Sequence, residues 1–199
     1  MRVLKEKIRR GIGIILIIVG LALIVSIVYK KIETSKKQKE LQNILEQVIS
    51  EDPEDGSEGK QEISINGYEP VALIEIPSIN LSQGLVEGIT DEILQYYLGH
   101  FETSVKPGEK GNFAVAGHRV SDYSEAFVNL YKVEAEDEVI VKANKKEYIY
   151  KVTENFIVDP SRVDVLDNTD DATITLITCT VGAKERVVVK GKLVETKDL

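Results

Sequence analysis

The pattern of apolar and polar positions divides the chain into unlike parts. Gly11 to Val28 is an uncharged run rich in Ile, Leu and Val. At ~1.5 Å rise per residue it spans roughly 27 Å as a helix, close to the ~30 Å core of a bilayer. Leu41, Ile44, Leu45, Val48 and Ile49 then repeat at the spacing of one helix face. That face reads as a stalk continuing from the apolar run, or as a docking or self-association surface. Glu51 to Gly59 is acidic, contains Pro53, Gly56 and Gly59, and has no apolar period, which describes a flexible linker.

From Tyr68 onward the runs become short and β-branched. Strands are expected at Val71–Ile76, Asn112–Ala116, Glu138–Ala143, Glu147–Thr153, Ala172–Thr178 and Arg186–Glu195, with a hairpin at Asn144-Lys145-Lys146. Thr90 is an expected N-cap, Asp91 and Glu92 suit a first helical turn, and Gly99 an end. A second short helix is expected over Ser124–Leu130, with Phe127 and Leu130 turned inward. Many short strands with turn punctuation make the body mainly β, a sandwich or a closed barrel. The expected divisions are 1–10 (basic tail), 11–29 (transmembrane anchor), 30–50 (helical stalk), 51–66 (linker) and 67–199 (folded domain).

Charge sharpens this division. Residues 1–40 carry ten Lys/Arg against three Glu, and residues 41–199 carry fifteen Lys/Arg against thirty Asp/Glu. An acidic body without a basic stripe argues against nucleic acid as a partner. Lysine and arginine flank the apolar run on both sides, so the positive-inside rule is nearly balanced and does not orient it. The run exceeds an ordinary signal-peptide core, and no A-x-A site follows before Tyr29-Lys30, which favours an uncleaved anchor over a signal peptide.

Candidate chemistry is confined to few residues. Cys179 is the single cysteine, so no intramolecular disulfide can form. It ends a predicted strand in which Ile174 and Leu176 share one face while Thr173, Thr175, Ile177 and Cys179 share the other. If Ala172–Thr178 and Arg186–Glu195 pair as a hairpin, Arg186 returns beside Cys179, where a guanidinium would lower a thiol pKa or stabilise an oxyanion. The chain holds two histidines. His118 follows a strand and Gly117; a Cys–His pair supplies a nucleophile and a proton carrier. His100 follows Gly99, where a histidine can simply bond helix-terminal carbonyls. From spacing alone Cys179 is equally a buried core thiol, Arg186 a surface strand residue, and His118 only modestly preferred over His100.

Three segments resemble sortases. Thr175-Leu176-Ile177-Thr178-Cys179-Thr180 is similar to their TLxTC signature. Ala114-Val115-Ala116-Gly117-His118-Arg119 is similar to their catalytic-histidine segment, and Glu185–Leu193 to the segment holding their catalytic arginine. Pro107–Asn112 and Gly99-His100-Phe101 match further family stretches, and coverage runs from about Tyr68 to Val194. The resemblance implies an eight-stranded β-barrel with one or two short helices behind an N-terminal transmembrane helix. It implies a cell-membrane enzyme of Gram-positive-type bacteria, N-terminus cytoplasmic and catalytic domain outside. Such enzymes cleave an LPxTG-like sorting signal after Thr and join the protein to an amine of a cell-wall precursor, or of a pilin in the polymerising members. Cys179 would be the nucleophile, His118 the proton carrier, Arg186 the oxyanion or substrate contact, and Thr178 a substrate-binding contributor; His100 matches a non-catalytic position. The short Thr180–Glu185 segment, a missing Asp-Pro-aromatic lid motif and the charged C-terminal tail leave class A or class D, with class D favoured. No cofactor is implied, although some relatives bind calcium through loop carboxylates. A non-catalytic barrel that binds wall peptides is the alternative.

Overall fold

The computed structural model describes residues 2–50, 64, 67–121, 123–124 and 126–199, with backbone alone for 2–8 and 46–50. The expected linker at 51–66 falls, apart from Ser64, outside the described residues, as do the side chains of Val48 and Ile49. Helix α1 runs unbroken over Arg2–Ser50. Eight strands follow: β1 Pro70–Ile76, β2 Leu81–Glu87, β3 Leu98–His100, β4 Gly111–Ala116, β5 Glu138–Ala143, β6 Lys146–Val158, β7 Ala172–Cys179 and β8 Arg186–Asp198. They close into a barrel in the order β1-β2-β3-β4-β7-β8-β6-β5, which among the described residues leaves no edge strand.

Alternation builds the interior. Ile74, Phe113, Val115, Ile174, Leu176, Val187 and Val189 point into one central cluster, and Phe127 and Leu130 pack into it from the segment after β4. The expected inward turn of Phe127 and Leu130 therefore holds. The expected Ser124–Leu130 helix instead forms turns that end in a 3-10 turn at Leu130–Lys132. The Ser121 hydroxyl accepts from the Ser124 N–H at 2.9 Å, and the Phe127 N–H donates to the His118 carbonyl at 3.1 Å. These bonds compete with a helical ladder.

Helix α2 occupies Asp91–Tyr96, and the Thr90 hydroxyl accepts from the Ile93 N–H at 3.4 Å as expected of an N-cap. It ends at Tyr97 rather than Gly99. Gly99 lies in β3, where a Cβ would stand 2.3 Å from the Gly88 carbonyl oxygen. Its smallness serves strand packing. Asn144 and Lys145 both take positive φ (51° and 60°) between paired Ala143 and Lys146, a two-residue hairpin turn.

The α1 face beyond the apolar run docks on the barrel. Leu41 and Leu45 are buried with Leu73, Val86, Ile93 and Tyr97. Gly84 makes the seat, because a Cβ there would lie 2.2 Å from Leu41 Cδ2. The Gln38 side chain bridges the seam: it accepts from the Gly84 N–H at 3.0 Å and donates to the Tyr96 carbonyl. The stalk expected from the periodicity is thus also an intramolecular docking helix.

His100 is buried in β3, not placed at a helix end. Its Nδ1 meets Glu87 Oε1 at 2.7 Å, Ser104 Oγ lies 2.9 Å from Nε2, and the ring packs 5.2 Å from Phe113. Burial raises the Glu87 carboxyl pKa, but hydrogen bonds and charge from Lys106 and His100 outweigh it and hold the group below its ordinary 4.5. A depressed carboxylate adds stability above the unfolded pKa, and that stability is lost as pH falls through the native one. Glu87→Gln is therefore expected to lower the melting temperature at pH 7. The deficit should shrink as melts are repeated at pH values stepped down below about 4.5.

Candidate active site

Strand β7 carries the single thiol, Cys179, on the barrel's outer face. Ile174 and Leu176 fill the interior. Ile177 instead packs with Val158, Val165 and Val188 in a separate outer cluster that includes the 3-10 turn Val163–Leu166. Two residues further on the same face stands Cys179, half-buried.

Pairing brings the other groups to it. Cys179 lies directly opposite Arg186 across the β7–β8 ladder, so their side chains leave the same face. The expected return of Arg186 is realised through the tight Thr180–Glu185 loop. Its Thr180 N–H donates to the Glu185 carbonyl at 2.9 Å, and its Ala183 N–H to the Thr180 carbonyl at 2.9 Å. Gly182 (φ 80°) supplies a left-handed step that glycine tolerates without strain. Arg186 Nη1 donates to the carbonyls of Ala183 (3.3 Å) and Glu185 (3.2 Å), so loop and guanidinium brace each other. Asp159, in the loop after β6, is held below the ordinary carboxylate range by the Ser161 hydroxyl and backbone N–H, with the Arg186 charge adding to the effect.

On the other side, β4 runs parallel to β7 with Ala116 beside Ile177. The Gly117 N–H donates to the Ile177 carbonyl at 3.2 Å and carries that register one residue past the strand. His118 is the next residue, just beyond this end of β4, as Cys179 closes the same end of β7. His118 is half-buried, and its carbonyl is fixed by Phe127. The structure thus gathers the expected His118, Cys179 and Arg186 at one end of three adjacent strands. It puts His100 elsewhere, across β4 and deep in the wall.

Thr178, the expected substrate-binding contributor, precedes Cys179 on β7. It is buried on the inner face, and its hydroxyl donates to the Gly117 carbonyl at 2.7 Å. In this position it ties the strand of Cys179 to the residue before His118. Thr178→Val should leave that carbonyl without its partner, costing about 1–3 kcal/mol of stability and lowering kcat more than KM. Thr178→Ser should recover most of the activity, and steady-state kinetics on the three proteins decide it.

Sequence periodicity missed the outer cluster, because β6 was expected to stop at Thr153. Asn155 interrupts the apolar alternation there, yet its side-chain amide donates to the Leu130 and Val133 carbonyls at 3.2 and 2.7 Å, and the strand continues to Val158. A half-buried amide that serves loop carbonyls gives no periodic signal. Among the described residues no three His, Cys, Asp or Glu side chains converge as metal ligands would.

Known proteins resemble this chain in sequence and in fold. The Sortase domain family model matches residues 74–194. Sortase A of Bacillus anthracis is 30% identical, over 97% of this chain and 98% of its own length. Sortase SrtE1 of Streptomyces coelicolor is also 30% identical, over 94% of this chain, and this chain spans 58% of that relative's length. Among solved structures, a Sortase D5 transpeptidase from Clostridium perfringens superposes with a TM-score of 0.70 at 33% identity, covering 80% of this chain and 99% of the other.

Proposed function

The chain belongs to the sortase family of cysteine transpeptidases, and from that premise we propose that it cleaves an LPxTG-like sorting signal after Thr and transfers the protein to an amine of a cell-wall precursor. The observation that carries this reading is the Cys179–Arg186 cross-strand pair with the β4 register delivering His118 to the same edge.

In this reading Cys179 Sγ attacks the threonine carbonyl with the thiol's proton carried by His118. The carbonyl electron pair moves to oxygen, and the oxyanion is met by the Arg186 guanidinium. Collapse breaks the peptide C–N bond, and His118 gives a proton to the departing amine, which would otherwise be a poor leaving group. A thioester to Cys179 remains. The incoming amine attacks it, His118 takes the proton, and the thiol is restored. Thr178 acts as a positioning residue between the two strands. The outer cluster around Ile177, with exposed Val163 and Val181 near it in sequence and fold, offers aliphatic surface to the apolar residues of a sorting signal.

The similarity to the Clostridium perfringens Sortase D5 supports a class D-like member. The apolar part of α1, whose side chains from Ile12 to Val28 lie outside the barrel core, supports an anchor. In this reading residues 1–10 lie in the cytoplasm, 11–29 span the cell membrane and 67–199 lie outside the cell. The test is to incubate the purified protein with an LPxTG-type peptide and a glycine-based amine, then read products by mass spectrometry. A product joined at Thr to the amine is expected; an uncleaved peptide across a library varied at each motif position would sink the reading.

A further inference from the structure

We infer that the loop after His118, through Arg119 and Val120, lies against the membrane interface, because α1 fixes the barrel's height above the bilayer. The inference rests on α1 as the membrane span and not on the transpeptidase chemistry.

The apolar run ends at Val28, and Lys30 is two residues, or roughly 3 Å, further along the same unbroken helix. Helical side chains slant toward the N-terminus, here toward the membrane. Lys30 Nζ lies 5.0 Å from the centroid of the Tyr123 ring. Tyr123 in turn packs edge-on to Tyr96 at 5.2 Å. Tyr96 is bound to the same helix: its hydroxyl donates to Glu33 at 3.3 Å, and Lys37 Nζ stands 3.4 Å over its ring. Higher up, Gln38, Leu41 and Leu45 seat α1 on Gly84 and its neighbours. The helix is therefore fastened to the barrel at several levels, and the lowest clamp is Tyr123, at the headgroup level that tyrosine favours.

Between His118 and Tyr123 the chain has only four residues to reach that level. Two of them, Arg119 and Val120, suit an interface. Val120 is an aliphatic side chain 53% exposed, and Arg119 is a long side chain able to keep its charge in the headgroups. Asp122 and Glu125 in the same stretch give it no positive charge in sum. The contact is thus interfacial insertion rather than attraction to anionic lipid, and it should persist at high salt. The edge that bears His118 then faces amines presented from the membrane.

The chain contains no tryptophan, so one introduced residue reports alone. Full-length Cys179→Ala protein is placed in phosphatidylcholine nanodiscs with and without acyl-chain bromination. Val120→Trp is expected to emit to the blue and to lose most of its emission to brominated lipid at low and high salt. Ser78→Trp, on the exposed turn before β2, is expected to lose none. That turn adjoins Ser82, whose carbonyl accepts from Gln42, roughly 18 Å along the helix from Lys30. Gly84→Leu, which drives Leu41 off its seat, should release the quenching at position 120. Arg119→Trp gives the same readout should Val120→Trp fold poorly. Unquenched emission at 120 and 119, equal quenching at 78, or quenching that survives Gly84→Leu would each overturn the inference. No turnover is needed, so its failure is separate from failure of the enzymatic reading, and flotation of the chain with vesicles checks the anchor independently.

Discussion

Cys179→Ala is expected to abolish both cleavage and transfer, by roughly four orders of magnitude or more, since a covalent nucleophile has no substitute in the site. The replacement removes one sulfur from a half-buried position on the outer face, away from the central core, so the melting temperature should hardly move. His118→Ala should cost nearly as much activity, and the double variant little more than either alone, because in the proposed mechanism the two groups act in one reaction and their losses do not add. Arg186→Ala should be milder, about 10²–10³-fold, as for removal of one oxyanion donor. Steady-state rates on an LPxTG-type peptide, with melts on the same samples, check the whole set.

Phe113→Ala is expected to produce the largest loss of stability. Phe113 is fully buried at the centre of β4, packed against His100 and inside the main cluster. Removing its ring leaves a void that the closed barrel cannot easily collapse into, because all eight strands are held in one ring of ladders. Such truncations cost about 3–5 kcal/mol, which for a chain of this size lowers the melting temperature by roughly 10 °C or more. Tyr131→Ala, at a side chain 54% exposed, should stay within about 0.5 kcal/mol and serves as the control. Calorimetry on the two variants decides between these expectations. β4 also leads into His118, so Phe113→Ala should blur the site before the barrel unfolds.

These two cases show what a linear pattern can carry. Alternation in Ala172–Cys179 revealed which face Cys179 takes, and a short return segment implied Arg186 beside it, because both are local. The parallel pairing of β4 with β7 is not local, and only similarity of the three segments to a family selected His118 over His100. Strands β2 and β3 had no legible period: Leu81–Glu87 contains Gly84 under a helix, and Leu98–His100 is three residues long. The inward hydroxyl of Thr178 was equally silent, since its meaning lies in a carbonyl 61 residues away. The helix face at Leu41 and Leu45 announced that it would be buried, yet nothing in its spacing named the barrel as the partner.

The most direct measurement is intact-mass analysis of the full-length protein mixed with an LPxTG-type peptide and no amine, followed by mapping of the modified residue. A thioester-linked adduct on Cys179 is predicted, carrying the peptide up to Thr and discharged by added amine. Its formation should slow sharply in His118→Ala. Cleavage of the peptide by Cys179→Ala protein, or an adduct on any other residue, would contradict it.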